Sequence, residues 1–401
     1  MIRAVSIPAI PPRLAAHLPL LRDAAQAGPL GLYLHFPFCR DRCTYCSFVT
    51  TRDEDHRPAV LQRLEADLAA WGEALGRPAL DTLYVGGGTP SLLGTGELAA
   101  LTAAVRHGFA AEGLEEATLE ANPGTLDPAW LKAARGLGWD RLSLGVQSFD
   151  DALLARLGRI HDGAAALEAF ALARAAGFRR ISGDLMVGIP GQRLAGVLED
   201  AERLVEAGAR HLSIYLLDLD KACPLKAEVA AGRVELPSED EVADVFEALQ
   251  ERLPALGLEP YEISNHAAPG EASRHNLRYW ERRAYLGLGP GAASQLGPFR
   301  WTESGVIAAW AEGRAAPDLQ ELDPAEALAE IPLLGLRLHH GVDWGALRRR
   351  AEALNLAPLV DRWEVTLRAC AREGLAAWEG GRVRLTPRGM LVSNGILSMF
   401  V

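Results

Sequence analysis

Six short, β-rich apolar runs separated by stretches of helical periodicity restrict the fold of this chain more than any other feature. The runs cover residues 32–36, 82–85, 117–120, 141–146, 181–187 and 211–217. Helical stretches fall between them at 60–75, 97–109, 128–137, 163–176 and 195–207. Strands that alternate with helices build parallel βαβ units with right-handed crossovers. Strands that are apolar along nearly their whole length are those covered by helices on the outer face. Six such units make either an open doubly wound sheet or an incomplete barrel. Polar residues recur just where the strands end, and this favours an α/β fold built on a partial (β/α)6 barrel.

Past about residue 220 the alternation stops. The pattern predicts a helix over 238–256 and a strand over 261–266, followed by a polar, aromatic-rich stretch to Trp280. The glycine-rich turn Gly287-Leu288-Gly289-Pro290-Gly291 comes next. From 323 onward helices lead to a short hairpin near 380–385 and a last apolar helix. This C-terminal α+β extension resembles a winged helix, read here as a packing appendage without DNA contact. The expected division is an N-terminal arm (1–30), the barrel (31–220), a barrel extension (221–322) and a C-terminal helical, winged-helix-like domain (323–401). Five prolines in the first 30 residues, with no continuous apolar stretch or small-residue cleavage site, predict an extended arm or a flexible leader rather than a signal peptide.

The net charge of −11 argues against non-specific nucleic-acid binding, which needs clustered Lys and Arg to neutralise phosphates. No apolar run reaches the roughly 20 residues that span a bilayer, although peripheral association stays open. Five cysteines, three of them within eight residues, suit a metal site in a reducing compartment better than a disulfide framework, which predicts a cytoplasmic protein.

Those three, Cys39, Cys43 and Cys46, form a Cys-x3-Cys-x2-Cys loop just after the first predicted strand. Three thiolates so spaced can each hold one iron of a [4Fe–4S] cubane. Structural zinc usually takes four closed ligands, and no fourth Cys or His stands nearby at a zinc-ribbon spacing. An iron left without a protein ligand can bind the amino and carboxylate groups of methionine, the arrangement that cleavage of S-adenosylmethionine (SAM) requires. Cys223 and Cys370 stand alone and read as structural.

The loop is similar to the signature of the radical SAM superfamily, and its surroundings resemble the oxygen-independent coproporphyrinogen III oxidase-like branch. The resemblance runs from about Leu32 to the C-terminus. It rests on Gly86-Gly87-Gly88-Thr89-Pro90-Ser91, Glu120-Ala121-Asn122-Pro123-Gly124, Gly145-Val146-Gln147-Ser148-Phe149, Leu157-Gly158-Arg159-Ile160-His161, Asp184 to Gln192 and Tyr261-Glu262-Ile263-Ser264-Asn265. In a parallel barrel, ligands gather at the carboxyl ends of the strands, where most of these motifs fall. The resemblance implies a radical SAM barrel with a [4Fe–4S] cluster on the three cysteines. It also implies SAM held by Tyr33, Gly87, Gly88, Thr89, Glu120, Gln147, Arg159 and Asp184, some of which would serve a second SAM molecule. No catalytic residue is assigned.

Within this branch the chain resembles the HemW-type haem chaperones more than the oxidases. Phe48 stands where oxidases carry a fourth cysteine, and the N-terminal arm is short. His275-Asn276-Leu277-Arg278-Tyr279-Trp280 matches a His-Asn-x-x-Tyr-Trp motif of haem-binding members. The resemblance therefore implies haem as cargo, an unidentified acceptor protein and an electron donor for the cluster. His275 becomes a haem-ligand candidate, and Arg274 and Arg278 become candidates to pair with haem propionates. Ala293 replaces a histidine common in related chaperones, and His266 falls where Phe is usual, so it is a candidate to compensate. An oxygen-independent coproporphyrinogen III oxidase and a radical SAM enzyme with another substrate are the alternatives.

Overall fold

The structure is a computed structural model that describes residues 10–400. Six consecutive parallel strands form its centre: β1 (Leu30–Phe36), β2 (Leu80–Gly87), β3 (Glu116–Ala121), β4 (Arg141–Gln147), β5 (Arg180–Val187) and β6 (His211–Leu216). They lie in chain order, with helices crossing between them, as a partial barrel.

The covering helices carry apolar stripes at helical spacing. In the helix Arg57–Leu75, residues Val60, Leu64, Leu68, Trp71 and Leu75 are all buried, and Gly76 in the left-handed region ends it. Full burial of each such side chain stabilises by about 1.5–3 kcal/mol as an upper estimate. Capping starts the helices. The Asp162 side chain accepts from the Ala165 N–H, and Ser238 and Glu241 form a reciprocal box at the start of Glu239–Ala255.

The sheet extends past both ends of the parallel set. Beyond β6 lie β7 (Glu259–Pro260) and β8 (Asn265–Ala267), with β8 antiparallel to β6. Beyond β1 lies β9 (Tyr285–Leu288), parallel to it, then the antiparallel strands β10 (Ala293–Leu296), β11 (Phe299–Thr302) and β12 (Asp318–Glu321). Among the described residues this makes a twelve-stranded sheet. Trp71 stacks on Trp301 of β11 with ring centroids 5.6 Å apart, which ties the first barrel helix to this added edge.

Three expectations are corrected here. Of the segment read as a strand over 261–266, only Asn265 and His266 are strand, at the start of β8, while residues 261–264 form the loop that turns the chain back from β7. The glycine-rich segment is only partly a turn, since Tyr285–Leu288 pairs as a sheet strand. The N-terminal region is neither extended nor structureless where it is described. Pro12–Ala15 and Leu18–Gln26 are helices, with Leu14, Leu21 and Ala25 buried against the barrel; residues 1–9 lie outside the described residues.

The C-terminal unit has its own core, built around Leu336, Trp344, Leu347, Trp363, Leu367 and Val383. Helices Pro324–Gly335, Trp344–Ala353 and Ala357–Arg372 pack with a three-stranded antiparallel sheet of β13 (Val342–Asp343), β14 (Ala376–Glu379) and β15 (Arg382–Leu385). No described helix is long and apolar enough to cross a membrane.

Candidate cofactor site

Each of β1, β3, β4 and β5 is buried along its length except for one partly exposed position beyond its first residue. These are Tyr33, Glu120, Gly145 and Asp184, and β2 leaves Tyr84 and Gly87 partly exposed. They face the hollow of the barrel. At its carboxyl end the hollow widens into a cavity of about 490 Å³ lined by Cys39, Cys43 and Cys46, and by Gly87, Gly88, Thr89, Glu120, Gln147, Arg159 and Asp184. Of the residues expected to hold SAM, only Tyr33 is not on this wall. It lies deeper and donates its hydroxyl proton to His35 Nδ1 at 3.0 Å, while His35 Nε2 donates to Val49 O at 2.8 Å.

The cysteine loop is pinned from several sides. Cys39 N donates to Thr51 O at 2.9 Å and Thr51 N donates to Pro37 O at 2.8 Å, closing its base. Gly88 N and Thr89 N donate to Phe36 O and Phe38 O at 2.7 and 2.9 Å, and Thr44 N donates to Leu157 O at 3.0 Å. Gly87 has φ 105°, and a Cβ there would stand 2.3 Å from the His35 ring, so only glycine fits. Thr89 Oγ1 lies 3.5 Å from Cys39 Sγ, and Arg159 Nη1 lies 3.5 Å from Cys43 Sγ.

Burial pushes the Cys39 thiol up to about 11 and raises that of Cys46 as well. Glu120 is raised by burial, against the pull of Tyr84 OH, which donates to it at 2.7 Å, and Gly87 N at 3.0 Å. Asp184 rises to about 7, first through burial and then through the charge of Glu120, although Ser143 Oγ donates to it at 3.2 Å. Gln147 has φ 70° where the β4–β5 register slips, a strained position costing about 1–3 kcal/mol, and its side chain lines the cavity.

The residues fit a negatively charged cluster and an anionic ligand group. Arg159 is largely buried, and among the described residues it has no carboxylate partner and its Nε has no hydrogen-bond partner. A buried cation so placed is costly unless an anion meets it. Among the described residues no three His, Cys, Asp or Glu side chains are set around a single ion, and all five cysteines are free thiols. A cubane that takes one cysteine per iron needs no such convergence.

The structure also shows wall residues that the sequence reading passed over, among them Ser143, Met186 and Tyr215. Tyr215 is the last residue but one of β6, so strand-end position was the signal that could have found it.

His275 is not brought to this cavity. The helix Arg274–Trp280 closes the opposite, amino-terminal end of the barrel. His275 is 1% exposed, with Nδ1 2.9 Å from Thr82 Oγ1 and Nε2 2.8 Å from Tyr279 OH, so neither nitrogen is free for iron. Glu116 takes the first turn of this helix: Ser273 Oγ, Arg274 N and His275 N all donate to its carboxylate. Arg278 is fully buried and paired with Asp81, while Arg274 pairs with Glu115. Gly31 makes room for Arg278, since a Cβ there would stand 2.4 Å from its side chain. The residues expected to hold haem, His275 with Arg274 and Arg278, thus have protein partners here and close the barrel floor. His266 is buried in β8 and lines neither this cavity nor the larger one beside it.

Residues 33–204 match the radical SAM superfamily model, and residues 322–392 match the HemN C-terminal domain. A relative from Mycobacterium tuberculosis, named heme chaperone HemW, is 36% identical over 384 residues, covering 92% of this chain and 94% of that protein. One of the same name from Bacillus subtilis is 32% identical, covering 92% and 98%. Among solved structures, the radical SAM enzyme coproporphyrinogen III oxidase (HemN) from Escherichia coli aligns with a TM-score of 0.81 over 94% of this chain and 92% of that one. At 22% identity it shows a shared fold. Membership of the radical SAM superfamily implies a [4Fe–4S] cluster and SAM. From its barrel to its C-terminal unit, this chain belongs to the HemW family of radical SAM proteins.

Proposed function

We propose that this protein is a haem chaperone: a cluster-bearing, SAM-binding carrier that takes up haem and passes it to an acceptor protein. The observation that carries this reading is likeness along the whole chain, at 36% identity, to a relative named heme chaperone HemW. Phe48 supports it. This residue stands where the oxidases carry a fourth cysteine, and it lies 69% exposed on the wall of the cofactor cavity.

Cys39, Cys43 and Cys46 would hold the cluster as thiolates. Because burial holds the Cys39 and Cys46 thiols in their protonated form, loading a cluster displaces protons, and affinity rises with pH. Arg159 offsets negative charge beside Cys43. Gly87 and Gly88 let the backbone approach the methionine part of SAM, while Glu120, Gln147 and Asp184 offer acceptors to its hydroxyl and ammonium groups. When bound, the cluster supplies one electron able to break a sulfonium C–S bond of SAM. A protein that donates this electron, and the acceptor of the haem, complete the reading. Free cysteines throughout fit a reducing compartment such as the cytoplasm.

The test is anaerobic titration of the cluster-loaded protein with haem, in parallel with incubation in coproporphyrinogen III, SAM and a reductant. The reading expects saturation near one haem per chain, with the haem unaltered and no decarboxylation. Decarboxylated product without saturable haem binding would replace it with the oxidase.

A further inference from the structure

A cavity of about 920 Å³ opens beside the cofactor cavity and shares Tyr215, Leu216 and Leu217 with it. Its walls come from three parts of the molecule: the carboxyl ends of β5 and β6, the helix Glu239–Ala255 through Val242 and Phe246, and the C-terminal unit through Arg337, Arg388 and Leu391. Its size falls within the roughly 300–1,000 Å³ of small-molecule sites. Tyr215, Leu216, Leu236 and Leu391 lie on it at 44, 49, 37 and 40% exposure. Single exposed apolar residues are ordinary, but four gathered on one concave surface mark a binding site.

The charges on this cleft are segregated. Glu239, Glu247 and Glu251 belong to the helix wall, whereas the C-terminal unit contributes Arg337 and Arg388. Neither arginine makes a salt bridge or a side-chain hydrogen bond among the described residues, although most other arginines near carboxylates do. Arg337 lies over the Trp280 ring, 5.6 Å from its centroid. The nearby Glu262 carboxyl is pushed up to about 7 by burial, so it is a weak counter-charge near neutral pH.

We infer that this cleft is the cargo site, in which one haem lies with its ring against the apolar walls and its two propionates paired with Arg337 and Arg388. The inference rests on the chaperone reading and gives it a place. Two unpaired cations beside an apolar slot match a flat ring bearing two carboxylates. Among the described residues no histidine or cysteine lines the cleft, so the ring is held by its faces and its carboxylates. That suits a cargo that must leave again. The shared wall at Tyr215–Leu217 would put the cargo next to the cofactor cavity, where cluster or SAM state can alter its grip.

The experiment is an anaerobic titration of the full, cluster-loaded chain with haem and with haem dimethyl ester, whose carboxylates are masked. Wild type should bind haem about tenfold or more tighter than the ester. The double variant Arg337→Gln/Arg388→Gln should lose about that factor for haem and bind the ester as wild type does. Leu391→Asp, at a 40% exposed position that ends its helix, should weaken both ligands. Far-UV circular dichroism and cluster absorbance confirm that each variant is folded, and if the double variant is not, Arg388→Gln and Leu391→Asp decide. Haem binding that is saturable in wild type and unchanged in these variants overturns the site but leaves the chaperone reading standing. Absence of saturable haem binding in wild type overturns both.

Discussion

The two ends of the barrel are built from the same kinds of residue to opposite purposes. At the carboxyl end, Glu120, Asp184, Gln147 and Arg159 face a cavity and keep polar capacity unused; Arg159 Nε has no partner. At the amino end, Glu116 pairs with Arg141 and Arg180, Arg278 with Asp81, and His275 with Thr82 and Tyr279, with Arg141 Nη2 left over among the described residues. Glu116 lies 3.2 Å from Arg180 and 3.5 Å from Arg141 while capping the helix that carries His275. The polar groups of one end line a cavity and read as a ligand site, whereas those of the other pair mostly with one another and read as a seal. Only the direction of the strands separates the two cases.

Four outcomes would break or sharpen this contrast. Cys43→Ala should remove the cluster absorbance almost completely while moving the unfolding free energy of the apo-protein by no more than about 0.5 kcal/mol, measured by denaturant unfolding. Glu116→Ala should do the reverse. Leaving buried Arg141 without its carboxylate and uncapping a helix should cost about 3–5 kcal/mol, while Arg180 keeps Asp140 and Glu271, and the folded fraction should still take up a cluster. His275→Ala should cost about 1–3 kcal/mol, from two lost hydrogen bonds, with haem affinity unchanged. A loss of haem binding from that variant while it stays folded would return the motif to the cargo site.

The smallest effect is in pH. His275 is held down to about 3 by burial, so the unfolded chain takes up its proton first. The stability it contributes is present above about pH 6.5 and is lost as pH falls towards 3. Asp184 does the opposite. Its carboxyl is raised to about 7, so the unfolded chain ionises first, and stability declines as pH rises from about 4 to about 7. Relative to wild type, His275→Gln should remove a rise of apo-protein stability with pH between about 3 and 6.5, and Asp184→Asn should remove a fall with pH between about 4 and 7, so the two difference curves should have opposite slopes. Difference curves of the same slope would contradict the two environments.

The barrel was legible because local pattern carries it: the six strands begin and end within two residues of the apolar runs, and the cavity wall follows from their ends. What stayed hidden depends on pairing between distant segments. Nothing local in Tyr285–Leu288 says that it will lie parallel to β1, 250 residues earlier, and the glycines around it read as a turn. The same limit misplaced His275. Its motif is legible as a motif, but its end of the barrel is set by Thr82 and Glu116, far away in the chain. Tyr33 was expected on the wall and lies beneath it, because residues on one face of a strand differ in depth along the barrel axis. The helices near the N-terminus were obscured by their prolines, which occupy first-turn positions where no N–H is needed.

The most direct test of the account compares wild type, Cys43→Ala and His275→Ala in one series of anaerobic absorbance spectra, before and during haem titration, with folding followed in parallel. The account predicts that wild type shows both the cluster band and saturable haem binding, that Cys43→Ala loses the cluster, and that His275→Ala keeps both signals at reduced stability. A folded His275→Ala protein that holds its cluster but no longer binds haem would contradict it.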